Sequence, residues 1–277
     1  MNRRYIFIAS MLSIFMINSK SYSQNEFPDL EGPYMGQKTP GMIAEPFASD
    51  IISTKGWEVG GVFSQDMKEF YFTTDNGKGT PVTVLGFRQR NNIWTKYTEF
   101  ERKGEILFSP DGKRMHMAEG YKDRIGGDRK DWGVMRLSAS AKGSYVFYDY
   151  KNKVIRISTF KEGKRQSPIA MGSMINTGKF TAHPFIASDE SYIIWDSVRK
   201  GGYGGSDLYI SFKQKDASWG AAINMGDKIN SDKNDNGANV TSNGEYMFFN
   251  RRMDDTGDNI DIYWVDAKII EKLRPKF

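Results

Sequence analysis

The chain has 277 residues, of which 14% are aromatic and 26% charged, with 28 glycines and no cysteine. This composition excludes a disordered chain, and the missing cysteine excludes disulfides, thiolate metal sites, a cysteine nucleophile and a bacterial lipoprotein anchor. The formal charge of +5 includes Arg3, Arg4 and Lys20, and residues 1–24 hold no acid, so the remainder carries only +2. That is no nucleic-acid footprint, and no basic run interleaved with aromatics suits a single strand.

Residues 1–24 read as a secretory signal. Arg3 and Arg4 precede a mostly apolar run from Tyr5 to Ile17, with small residues around Ser21-Tyr22-Ser23, the order a signal peptidase reads. The run is too short for a stable membrane anchor. The expected location is therefore periplasmic or secreted, with no membrane insertion once the signal is cleaved. Residues 25–42 follow as an extended segment and 43–277 as one domain. In that domain, aromatic and β-branched residues come in short runs cut by Gly, Asn, Asp and Lys, the pattern of an all-β fold.

Five segments of the domain repeat one another. They are Gly61 to Phe72, Glu105 to Met117, Arg136 to Phe147, Pro184 to Trp195 and Ala238 to Phe249. In each, a short apolar strand ends at a serine, and a polar turn leads into a second apolar strand. Asp, Asn and Gly suit such turns because they accept positive φ or close a local hydrogen bond. The serines Ser64, Ser109, Ser140, Ser188 and Ser242 are spaced 45, 31, 48 and 54 apart. A four-stranded propeller blade takes roughly 40 to 50 residues, so one interval is short.

Further strands are expected at Val82 to Phe87, Ile93 to Phe100, Lys153 to Thr159, Ser167 to Met171, Asp207 to Phe212, Trp219 to Met225 and Asp261 to Val265. The last repeat lacks a fourth strand, and Glu45 to Ile51 has the look of one. The expected fold is an all-β β-propeller of four-stranded antiparallel blades, its ring closed by an N-terminal strand. Five blades are counted, six if an irregular blade is hidden near the charged loop Tyr121 to Asp131.

Phe108-Ser-Pro-Asp-Gly-Lys113 resembles the TolB-type, WD-like propeller repeat, with partners at Phe63 to Asp66 and Val240 to Gly244. Gly201 to Phe212 and Trp219 to Asn230 are similar to exported members of that group in Bacteroidetes-type bacteria. The resemblance covers about residues 43–266 and departs at Gln65, Met67 and Ala141-Lys142. It implies the fold, and it leaves function open because the group serves as binding module, scaffold and accessory domain alike.

The chemistry on offer is sparse. The two histidines are His116 and His183, and no Gly-x-Ser-x-Gly elbow occurs, so no catalytic residue is assigned. A glycosidase needs a carboxylate pair; Glu58, Glu105 and Asp235 are the inner-strand acids, in non-equivalent positions. Asp232 to Gly237 matches the start of a calcium loop, but its twelfth place is Asn243, so no metal is expected. Gly201 to Gly205 has no helix after it to cradle a phosphate.

Binding through loops on one face remains. That face carries Asp75, Lys78, Lys122 and Arg124, and the ligand-binding set His183, Asp196, Arg199, Tyr203, Arg251 and Arg252. The arginines suit a carboxylate through paired donors. The expected function is a non-catalytic, cofactor-free binding or scaffold protein for a peptide, protein or glycan of the cell envelope. The alternative is a glycosidase-like propeller hydrolase acting in the central funnel.

Overall fold

The computed structural model describes residues 30–75, 81–108, 115–117 and 132–276. Residues 1–24, read above as a signal, and residues 109–114 and 118–131, together with Lys78, Lys122 and Arg124, lie outside the described residues.

Five antiparallel sheets follow one another along the chain, with a small hairpin at Phe160–Lys161 and Lys164–Arg165 beside the third. Blade one holds Glu58–Phe63, Glu69–Thr74, Thr83–Arg90 and Ile93–Glu101. Blade two is described at Ile106–Phe108 and Met115–Met117. Blade three holds Val134–Ala139, Tyr145–Asp149, Val154–Ser158 and Ile169–Ala170. Blade four holds Thr181–Ile186, Tyr192–Ser197, Asp207–Phe212 and Ile223–Asn224. Blade five holds Asp235–Val240, Tyr246–Arg252 and Ile260–Asp266, and its fourth strand is Glu45–Pro46 from the N-terminal side.

The first strands of the five sheets neighbour one another in chain order. Blade five returns to blade one through Asn239 Nδ2, which donates to Gly61 O at 3.0 Å, and Gly60 N, which donates to Asn250 Oδ1 at 2.9 Å. The fold is a β-propeller. Middle strands are packed on both faces, so they read as continuous runs rather than alternating ones; all six residues of Asp207–Phe212 are buried.

Ring closure is reinforced by residues 30–47. Leu30–Glu31 pairs with Trp94 and Ile93 as a fifth strand on blade one. Gly32 O accepts bonds from Gln89 Nε2 and Trp94 Nε1 at 2.7 and 2.8 Å. Tyr34 then reaches blade five, its hydroxyl donating to Glu245 Oε2 at 2.5 Å. Met35 and Phe47 are fully buried in the aromatic core shared by blades five and one.

The turns show a register that the serines conceal. In blades one, three, four and five the first strand is followed by Ser64, Ser140, Ala187 and Thr241, each accepting a bond at its carbonyl from the N–H three residues on. That third residue is left-handed in every case: Met67, Gly143, Glu190 and Gly244. Ser188 and Ser242 therefore lie one place past the true anchor. In blade three the turn is one residue shorter, since Ser140 N bonds Ser144 O where Ser64 N bonds Glu69 O.

Candidate functional site

Four residues before each anchor, the inner strand bulges toward the channel. The residues there are Gly60, Arg136, His183 and Gly237, all with positive φ, at 71°, 48°, 45° and 64°. Glycine takes this conformation freely, whereas arginine and histidine occupy it at a cost of about 1–2 kcal/mol each. Strained residues persist where the surroundings hold them.

The surroundings here are charged. Arg136 Nη1 donates to Glu105 Oε2 at 3.2 Å, and Nη2 to Gly237 O at 2.9 Å, so one side chain ties blade three to blade five and to the entry of blade two. His183 Nδ1 pairs with Asp196 Oδ1 at 2.8 Å, and that carboxylate, fully buried, also accepts from Gly237 N and Ser206 Oγ. Burial alone would raise the Glu105 carboxyl, but Arg136, His183 and Arg102 hold it below its ordinary value. Burial alone would lower the His183 imidazole, but Asp196 and then Glu105 lift it above its ordinary value, against Arg136.

Arg136 and Gly60 form one end of a cavity of about 970 Å³ that opens among the turns. Its wall is made by half-buried apolar side chains of the inner strands, among them Val62, Phe108, Ala139, Phe185 and Val240. Its rim is made by the turns themselves, which bond to one another: Ala141 N to Ser188 O, Lys142 Nζ to Asp189 O and Ser242 Oγ to Gln65 O. The short helix Lys268–Leu273, seated by buried Ile269 and Ile270, completes one side with Lys268 and Glu271, and Arg274 follows it. The serine turns thus shape an opening as well as the blades.

The structure does not gather the six residues singled out for ligand binding into one cluster. His183 and Asp196 meet at the channel. Arg199 Nη2 donates to Ile175 O at 2.7 Å and the guanidinium lies 4.8 Å from the Tyr209 ring. Arg251 repeats the arrangement one blade on, with Ile229 O at 2.6 Å, Asp235 Oδ1 at 2.6 Å and the Tyr263 ring at 4.2 Å. Both arginines are fastened to their own blade interfaces. Tyr203 is half exposed in the loop before Asp207–Phe212. Arg252 lies over Gly257, where a Cβ would approach its Nη2 to 2.3 Å.

These arginines bond a second repeat that the serine alignment passed over, Met171-Gly-Ser-Met-Ile-Asn176 and Met225-Gly-Asp-Lys-Ile-Asn230. Asn176 Oδ1 accepts Ile155 N and its Nδ2 donates to Ile155 O and Met171 O. Asn230 holds Leu208 N and O in the same way. The recurrence of Met-Gly-x-x-Ile-Asn was visible in the chain.

The acids considered for catalysis are already committed. Glu58 accepts from Thr54 N and Oγ1, and Asp235 from Ser231 N and Oγ as well as Arg251. In the calcium-like loop, Asn234 Oδ1 accepts Ser206 N, so that segment bonds blade four to blade five. Gly204 and Gly205 press on this loop; a Cβ on Gly204 would lie 2.3 Å from Lys233 O. Close backbone packing, not a ligand, accounts for those glycines. Among the described residues no group of three or more His, Asp or Glu could hold a metal ion, and no helix is long and apolar enough to cross a membrane.

Fold and site together define a β-propeller, with five blades among the described residues and a central cavity opening among its turns. No family model matches the sequence, and no curated protein matches it. Among solved structures the chain is similar to TolB from Acinetobacter baumannii, at 15% identity over 76% of this chain and 44% of that one, TM-score 0.27. It is also similar to an oligogalacturonate lyase from Vibrio parahaemolyticus, at 12% identity over 77% and 67% of the two chains, TM-score 0.36. The catalytic domain of a GH62 α-L-arabinofuranosidase from Coprinopsis cinerea shares 8% identity over 86% and 96%, TM-score 0.40. The chain spans less than half of that TolB.

Proposed function

We propose that this chain is an exported, non-catalytic binding protein that holds an extended segment of a partner protein or peptide in its central cavity, from the turn side. The cavity carries the reading. Its volume is that of a ligand pocket, and its lining combines apolar inner-strand side chains with polar and charged groups at Arg136 and along the rim of turns and helix. The apolar part of the wall takes apolar side chains, and the inner strands that supply it are held rigidly by the blades. The commitment of Glu58, Glu105, Asp196 and Asp235 to protein partners supports binding over hydrolysis. Export rests on the pattern of residues 1–24.

Panning a phage-displayed random peptide library against the mature chain tests this reading. Peptides rich in apolar side chains are expected to be enriched, and Ala139→Trp, which fills the cavity without removing a hydrogen bond, is expected to lose them. Equal binding to Ala139→Trp would remove the cavity from consideration. Polysaccharide cleavage by the wild type that disappears in Glu105→Gln would favour the hydrolase instead.

A further inference from the structure

We infer that the channel end opposite the turns carries a separate saccharide-binding site between blades three and four, built on Phe180, Tyr148 and His183. Phe180 is 39% exposed, although its ring lies beside buried Tyr148 and half-buried His183. Its centroid lies 5.9 Å from Tyr148, nearly edge-on at 63°, and 6.2 Å from His183. Tyr150, 54% exposed, extends the surface over Gly133, where a Cβ would lie 2.9 Å from Tyr150 Cδ2. These aromatic side chains come from the loop entering blade four and from the second strand of blade three and its exit.

The polar groups among them point to the ligand class. His183 spends Nδ1 on Asp196, and its Nε2 has no partner among the described residues while the side chain stays 21% exposed. The Tyr148 hydroxyl likewise has no hydrogen-bond partner among them, and burial with the Asp149 and Asp196 carboxylates keeps the phenol protonated. Both carboxylates behind these groups are fully buried and bonded within the protein. The surface therefore offers ring faces and hydrogen-bonding edges, with the buried carboxylates behind them already bonded within the protein.

A pyranose presents the complement. Its axial C–H groups are weakly electropositive and settle on the electron-rich face of an aromatic ring, while its hydroxyls both donate and accept. The position of His183 adds weight. The equivalent place is glycine in blades one and five and Arg136 in blade three, so a side chain is carried at this strained position only in blades three and four among the described residues.

The test applies the mature wild-type chain and three variants to an array of immobilised plant, bacterial and animal oligosaccharides. Wild type is expected to bind a related group of glycans, and Phe180→Ala and His183→Gly to lose about tenfold or more in affinity. Phe180→Ala alters an exposed ring, and His183→Gly places at the bulge the residue that Gly60 and Gly237 already show to fit. Ala139→Trp, on the other side of the channel, is expected to bind glycans as wild type does. That separates failure of this site from failure of the peptide cavity. No glycan retained by wild type, or unchanged binding by both Phe180→Ala and His183→Gly, overturns the inference. So does peptide capture that depends on Phe180.

Discussion

His183 Nδ1 lies 2.8 Å from Asp196 Oδ1, across a bulge that puts the histidine in left-handed backbone and the aspartate out of solvent. The pair makes stability depend on pH with a definite sign. The folded imidazole titrates above its ordinary 6.5, so its contribution is complete below about 6.5 and is lost as pH rises through the folded value. Glu105 works the other way. Its carboxyl titrates below its ordinary 4.5 when folded, so its contribution is present above about 4.5 and is lost as pH falls through the folded value. Urea midpoints should therefore be highest between those limits. In Asp196→Asn the His183 ring, followed by NMR, should titrate lower than in the wild type. An unmoved His183 titration would show that Asp196 does not govern it.

Arg136 separates strain from bonding. Arg136→Ala removes the bonds to Glu105, Gly237 O and Ala238 O and leaves the partly buried Glu105 carboxylate only its longer contact with Arg102 Nη2 at 3.8 Å, a loss of roughly 2–3 kcal/mol. Arg136→Gly loses the same bonds but relieves the φ of 48°, so it should be about 1 kcal/mol more stable than the alanine variant. Urea denaturation of both decides the matter. A glycine variant less stable than the alanine one would mean that the bulge is not strained.

What the chain disclosed in advance was whatever depends on neighbours in sequence. Asp207–Phe212 and the closing strand near Glu45 follow from apolar runs and from a repeat that lacks its end. The register of the later turns did not follow, because Ala187 and Thr241 anchor where Ser188 and Ser242 draw the eye. Backbone bonds, rather than the serine hydroxyl, define that position. The site was legible only in part. His183 and Asp196 meet because a bulge turns one toward the other, which a period of two does not foretell. Arg199 and Arg251 had the chemistry of a clamp, but each is taken up by a carbonyl and an aromatic ring of its own blade.

The Met-Gly-x-x-Ile-Asn loops give a second measure of that interface. Asn176 and Asn230 each complete a third strand beyond the point where its fourth strand ends. Replacing either by alanine strands the N–H of Ile155 or Leu208, whose carbonyl keeps its bond from Met171 N or Met225 N, so each variant should lose about 2 kcal/mol. The two losses should add, since the asparagines serve different blades. Differential scanning calorimetry of both singles and the double variant checks this. A double variant no worse than the poorer single would mean that the blades do not unfold as one ring.

Ring closure should be the costliest place to disturb. Phe47 follows the closing strand and is fully buried, with ring centroids 5.0 Å from Phe70, 5.1 Å from Phe248 and 5.0 Å from Trp264. Those rings belong to blades one and five, so Phe47 packs the seam that closure creates. Phe47→Ala removes a large side chain from a site bounded by rigid rings, and about 3–5 kcal/mol should be lost. Tyr34→Phe removes only the bond to Glu245 at the protein surface, for which about 1 kcal/mol is expected. If the seam is the weak point of the ring, hydrogen exchange in Phe47→Ala should accelerate first in blades one and five, with blades three and four still protected. Uniform acceleration across all described blades would instead show that the propeller opens as a single unit, with no seam that yields before the rest.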